Sequence, residues 1–211
     1  MRVPWLAYLG AVSQAAPLVA AALVRRPVWG PRAWVLAWCA VLVAVDAASL
    51  WLASQDVRNL WLFNSLTPAS VAVVLWALSL WQTGDLTRLT MRIAILPFLL
   101  LWTVLTLAVE DTSAFSRAAD PMASIVGLGA AAFTLLARSY TSRGELLRHD
   151  WFWVSGGIAL YFGTASALGP LGALLVGSSP GLVIQAYEVK AVLDILTFLA
   201  IARGVVCPTE T

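Results

Sequence analysis

Seven stretches of about twenty apolar residues, separated by short polar breaks, dominate this chain and decide what it can fold into. They run over residues 5–24, 33–53, 59–82, 93–109, 121–138, 151–176 and 182–202. At a rise of roughly 1.5 Å per residue, about twenty helical residues cross the hydrocarbon of a bilayer. Composition agrees: 61% of the 211 residues are hydrophobic and 11% are charged, where a soluble domain carries about 25% charged residues. Water offers no place for that much apolar surface, and lipid does. The expected fold is therefore all-α, a polytopic membrane bundle of about seven transmembrane helices forming a single domain over 1–211. Met1-Arg2 ahead of an apolar run has the form of a secretory leader, but the run is read here as the first span.

The connections are too short for a soluble domain, so consecutive spans should be antiparallel neighbours. Arginines set the direction. Arg25, Arg26, Arg32, Arg88, Arg92, Arg138, Arg143, Arg148 and Arg203 fall on one side, and only Arg2, Arg58 and Arg117 on the other. This bias predicts an N-terminus outside, a cytoplasmic C-terminus and residence in the cell (inner) membrane. Trp29, Trp34, Trp81, Trp151 and Trp153 fall at the inner interface, and Trp5, Trp51 and Trp61 at the outer one.

Several chemistries lack their residues. His149 is the sole histidine, in the polar stretch Arg148-His149-Asp150, which reads as a solvated loop end. A histidine metal centre or catalytic triad therefore has no basis. Ser65, Ser70 and Ser155 have no histidine beside them, and the adjacent Glu110 and Asp111 diverge by about 100° on a helix. An enzyme is not expected. The basic residues are scattered, so no nucleic-acid partner is expected, and the sequence names no cofactor. Cys39 and Cys207 lie too far apart along the chain to suggest a disulfide.

Charges inside a bilayer are expensive and mark candidate sites. Asp46 lies in the second run, and Glu188, Lys190 and Asp194 in the seventh. With alternating directions, Asp46 lies about 10 Å and Lys190 about 12 Å from the outer edge. Asn64 and Thr67 of the third run, and Thr164 of the sixth, fall in the same band. Tyr187, Lys190 and Asp194 share one helical face, with Glu188 turned away and nearer the surface. The expectation is one polar cluster between the second, third, sixth and seventh spans, centred on an ion pair of Lys190 with Asp46 or Asp194. Such a cluster can be a structural clamp, a ligand or ion site, or a proton path.

Gly156, Gly157, Gly163, Gly169, Pro170 and Gly172 crowd the sixth run. They permit close backbone approach, and Gly169-Pro170 should bend or end the regular helix. Pro68 and Pro97 interrupt the third and fourth runs.

A lysine in the last span invites comparison with the microbial retinal proteins. The two positions at which those proteins carry carboxylates hold Leu60 and Ala186 here, so that reading is set aside. The chain more closely resembles a loose group of small, uncharacterised seven-helix bacterial integral membrane proteins. The resemblance rests on Asn59-Leu60-Trp61-Leu62-Phe63-Asn64, on the stretch from Asp150-Trp151-Phe152-Trp153 to Tyr161-Phe162, and on Asp194-Ile195-Leu196-Thr197-Phe198-Leu199. Members often accompany sensor kinases and lack soluble domains, which implies a sensory or accessory role but assigns no functional residue. Lys190 departs from the group, which more often has a neutral residue there. The function expected is a non-enzymatic, receptor-like or accessory membrane protein that meets a ligand, a membrane partner or a cytoplasmic protein partner. The alternatives are a small transporter or proton-coupled carrier, and a structural subunit of a larger membrane complex binding pigment or lipid.

Overall fold

The computed structural model describes residues 5–24, 28–57, 59–110, 116, 118–142, 144–175 and 180–207, and these residues are helical almost throughout, with no strand among them. In chain order the helices are α1 (Trp5–Ser13), α2 (Ala16–Val24), α3 (Pro31–Ser54), α4 (Leu60–Leu80), α5 (Asp85–Ile93), α6 (Ile95–Ala108), α7 (Ala119–Thr141), α8 (Asp150–Leu175) and α9 (Pro180–Val206). A short 3₁₀ turn at Leu146–Arg148 precedes α8. Four rods are long and apolar enough to cross a membrane: α3, α4, the continuous α5–α6 stretch and α7. Their outer surfaces suit lipid, with Leu107 81% and Leu96 71% exposed.

Two rods are each made of two helices, and proline explains both joints. Pro17 has no N–H for the Ser13 carbonyl. The chain closes α1 with tighter turns, Gln14 N–H donating to Ala11 O (3.3 Å) and Ala15 N–H to Val12 O (3.0 Å). Pro97 likewise follows the α5–α6 joint at Ala94, where Phe98 N–H still reaches Ala94 O at 3.2 Å. Helix formation begins at Asp85, so Arg88 and Arg92 stand on a helix where the sequence suggested a loop. Gly169-Pro170 does not end α8, which continues to Leu175. Gly30 turns the chain into α3 with φ of +66°, a conformation that suits glycine, and Pro31 follows at the first helical turn.

Cross-contacts fix the relative directions of the rods. On α8, Gly157 lies against Thr197 and Ile201 of α9, while Gly204 of α9 lies against Asp150 and Val154 of α8. Rising number on one helix meets falling number on the other, so the pair is antiparallel. A Cβ on Gly157 would sit 2.9 Å from Thr197 O, and one on Gly204 would sit 3.0 Å from Asp150 O. Those contacts are with backbone, so the small residues set the spacing. On α7, Gly127 opens room for the Phe162 ring, which a Cβ would meet at 2.6 Å. Phe162 stacks on the buried Trp38 of α3, and Tyr161 meets the same indole edge-on with centroids 5.1 Å apart.

At the start of α3 and the start of α8, Arg32 and Asp150 form an ion pair of 2.7 Å. Both side chains are about nine-tenths buried. The guanidinium also donates to Val205 O of α9 at 3.2 Å, and the other Asp150 oxygen accepts from Trp151 N–H at 2.7 Å. Three helices are thereby locked at one rim. Asp150 is thus a buried partner, not part of a solvated loop end. His149 stacks on Trp151 with centroids 5.8 Å apart, and Arg138 of α7 approaches the same indole.

The lock predicts a large single-site cost. Arg32→Met should destabilise the bundle by about 3–5 kcal/mol, because it strands a buried carboxylate. Arg32→Met combined with Asp150→Asn should cost clearly less than the sum of the singles, read by thermal unfolding in detergent.

Candidate functional site

The joint in the first rod carries the site. Ser13 donates its hydroxyl to Gly10 O at 2.6 Å and stays within α1, whereas Gln14 projects across to α3. Gln14 Nε2 donates to Asp46 Oδ2 at 2.7 Å. Gln14 is 8% exposed, and its Oε1 is buried without a hydrogen-bond partner among the described residues.

Facing Asp46, α9 presents an ion pair between Lys190 and Asp194, one helical turn apart. Asp194 is buried, and the Lys190 side chain is 37% exposed and forms the open edge. Both charges act on the Asp46 carboxylate. The phenol of Tyr161, on α8, lies in the field of Asp46 and Asp194 from the aromatic side. Close packing holds α1 to α9 beside this group: a Cβ on Gly10 would lie 3.3 Å from the Ala191 backbone.

The depths agree along three rods. Gln14 stands about 14 Å from the start of α1, Lys190 about 15 Å from the start of α9, and Asp46 about 12 Å from the end of α3. Equal depth brings side chains from distant sequence positions together only because the first and last rods are neighbours.

The structure therefore gathers Asp46, Lys190 and Asp194, with Asp194 and not Asp46 taking the lysine in an ion pair. It does not bring Asn64, Thr67 or Thr164 to them. Asn64 is half-buried on α4 and makes no side-chain hydrogen bond among the described residues. Thr67 turns toward Asp120 of α7 and its own Phe63 carbonyl, joining the α4–α7 contact. Thr164 donates to Leu160 O at 2.7 Å and borders an open apolar groove of about 560 Å³ that also touches Leu135, Gly163, Val189 and Leu193. Asn64 and Thr67 stand on α4, which lies against α3 and α7, away from α9, while Thr164 stands on α8 with its hydroxyl turned to its own helix. The side chain of Tyr187 lies outside the described residues.

Sequence reasoning missed Gln14. Its signal was present: a lone amide in an apolar run, three residues before a proline that interrupts the helix. The arginines of the arginine-rich rim are also more engaged than their positions suggested. Arg92 donates to Ser79 Oγ at 3.1 Å and covers the Trp76 ring at 4.4 Å. Arg88 donates to Gln82 O at 3.0 Å, and Gln82 in turn donates to Thr134 Oγ1 of α7 at 2.9 Å.

Chemically, the site offers two carboxylates, one ammonium, one amide and a carbonyl at a helix joint. Among the described residues no three His, Cys, Asp or Glu side chains gather in a metal-holding group, so the donor set is poor for a transition metal. No protein-family model, curated protein or solved structure matches this chain.

Double-mutant cycles on thermal unfolding should separate the pairs. Gln14→Leu with Asp46→Asn, and Lys190→Met with Asp194→Asn, should each show coupling of about 1 kcal/mol or more. Gln14→Leu with Lys190→Met should be additive to within about 0.5 kcal/mol.

Proposed function

We propose that this chain is a seven-span, non-enzymatic protein of the bacterial cell (inner) membrane, receptor-like or accessory to a larger signalling assembly. In this reading the N-terminus is outside and the C-terminus cytoplasmic. Alternating rod directions and the arginine bias support the orientation. One observation carries the functional part: the Gln14–Asp46 hydrogen bond ties the broken first span to α3, beside the Lys190–Asp194 pair of the last span. A solute arriving from the outer side competes for those polar groups. It thereby changes how α1 and α2 sit on α3 and α9, a differential contact of the kind a sensor needs.

The inner rim is the output side in this reading. Arg32, Arg88, Arg92 and Arg138 are used within the bundle. A cytoplasmic protein partner is left Tyr140, 88% exposed, and the solvent-facing Glu145–Arg148 pair.

A second reading, a small transporter or proton-coupled carrier, draws on the same joint. Carriers place ion and substrate sites at interrupted helices near the bilayer midplane. The two readings separate in proteoliposomes. The receptor-like reading expects proton and sodium flux at the level of empty vesicles. Flux that Asp46→Asn abolishes would establish the carrier instead. Single-cysteine labelling in whole cells should reach a cysteine placed before Trp5 from outside, and one placed after Cys207 only from the cytoplasm. Both termini reacting from one side would reject the seven-span arrangement.

A further inference from the structure

Counting charge at the joint leaves an imbalance. With both carboxylates ionised, Asp46 and Asp194 bring two negative charges against the single positive charge of Lys190, which is paired with Asp194. From α8 the Tyr161 phenol lies in the field of this group. From the α1–α2 joint the Gln14 amide reaches Asp46. The helix ends do not settle the account: the carboxyl end of α1 brings partial negative charge, and the amino end of α2 brings partial positive charge of similar size. An ionised Asp46 therefore lacks a cation of its own inside the bundle, where an unpaired charge is costly.

An oxygen-rich lining accompanies it. Gln14 Oε1 is an acceptor in a side chain more than nine-tenths buried, and it has no donor among the described residues. Pro17 deprives the Ser13 carbonyl of the N–H that a continuous helix would supply. Beside the Asp46 carboxylate, which accepts from Gln14 Nε2, this leaves Gln14 Oε1 as a buried oxygen acceptor with no donor of its own among the described residues.

We propose that the joint between α1 and α2 is a binding site for one exchangeable monovalent cation, an alkali ion or a proton, shared by Gln14 Oε1 and the Asp46 carboxylate. The inference rests on the outer-side site of the proposed function and names its ligand class. An alkali ion is coordinated by both oxygens. A proton rests on Asp46, which then donates to Gln14 Oε1 once the amide has turned over. Either cation cancels the excess charge, and Lys190 and Asp194 keep their own pair.

The test uses the full chain in detergent, with thermal unfolding followed at constant ionic strength. NaCl replaces choline chloride in one series, and pH is lowered in choline chloride alone in the other. An alkali-ion site raises the wild-type midpoint by roughly 5 °C between dilute and hundredfold higher sodium. A proton site shows no sodium effect and a rise as pH falls. In both cases the response is lost in Asp46→Asn. In Gln14→Leu, which retains every charge, it needs about tenfold more cation. Gln14→Leu carries the test alone if Asp46→Asn does not fold. A wild type that responds to sodium and to pH no differently from Gln14→Leu overturns the proposal. Vesicle flux would instead overturn the receptor-like reading and leave the cation site standing.

Discussion

Hydrocarbon supplies no hydrogen bonds, so the polar groups at the heart of this bundle have to be satisfied by the bundle itself. That constraint explains why helix is nearly the only structure among the described residues, and why each interruption is paired with a specific remedy. At the α1–α2 joint the backbone shifts to tighter turns, and Gln14 reaches a carboxylate on α3. Beyond α6, Glu110 bends back to accept from Ala118 N–H and Ala119 N–H at 2.8 Å, and from Ser116 Oγ at 2.7 Å. It thereby caps the amino end of α7 with negative charge, the sign that the helix dipole favours there. Ser116 Oγ takes Asp120 N–H at 2.8 Å, so two side chains cover the exposed donors of one helix end.

Packing in the same solvent cannot rely on expelling water, because the lipid is as apolar as the helix surface. Close approach has to do the work, and glycine permits it only where a neighbouring backbone or ring arrives. At Gly157, Gly204 and Gly127 a neighbouring atom lies within 3.0 Å of where a Cβ would sit, which joins α7, α8 and α9 into one tightly packed unit. Gly156 has nothing within 4 Å, and Gly163 meets only Leu128 at 3.7 Å. Adjacent glycines of identical type therefore do different jobs, decided by which face each one occupies.

This difference shows what the chain's sequence makes legible and what it withholds. The rods are legible because hydrocarbon thickness sets a run length that a one-dimensional pattern can display. Asp46, Lys190 and Asp194 are legible for a related reason: rise per residue converts position into depth, and charge at depth is rare. Neighbourhood is not legible. Asn64 and Thr67 have the right depth and the wrong neighbours, since α4 packs on α3 and α7. Asp150 looked like a loop residue because its partner, Arg32, lies 118 positions away and no local pattern links them. Arg88 and Arg92 looked like a polar turn because a short amphipathic helix has too little apolar length to register as part of a span.

The two ion pairs show how differently the same chemistry is used. Arg32 and Asp150 balance each other, and their spare donor and acceptor capacity goes to Val205 O and Trp151 N–H. Full satisfaction makes that contact a lock, since every alternative geometry leaves a charge exposed to hydrocarbon. Lys190 and Asp194 balance each other too, but they stand beside the Asp46 carboxylate, whose hydrogen bond comes from the Gln14 amide. A bundle selected for rigidity alone is better served there by an apolar side chain than by Asp46, because replacing buried polar groups with well-packed apolar ones is commonly neutral or stabilising. The placement of that carboxylate at the one joint in the first rod, opposite the half-open edge formed by Lys190, separates it in kind from the rim lock. The rim contact holds helices together, while the joint keeps a charge where an arriving cation changes the balance.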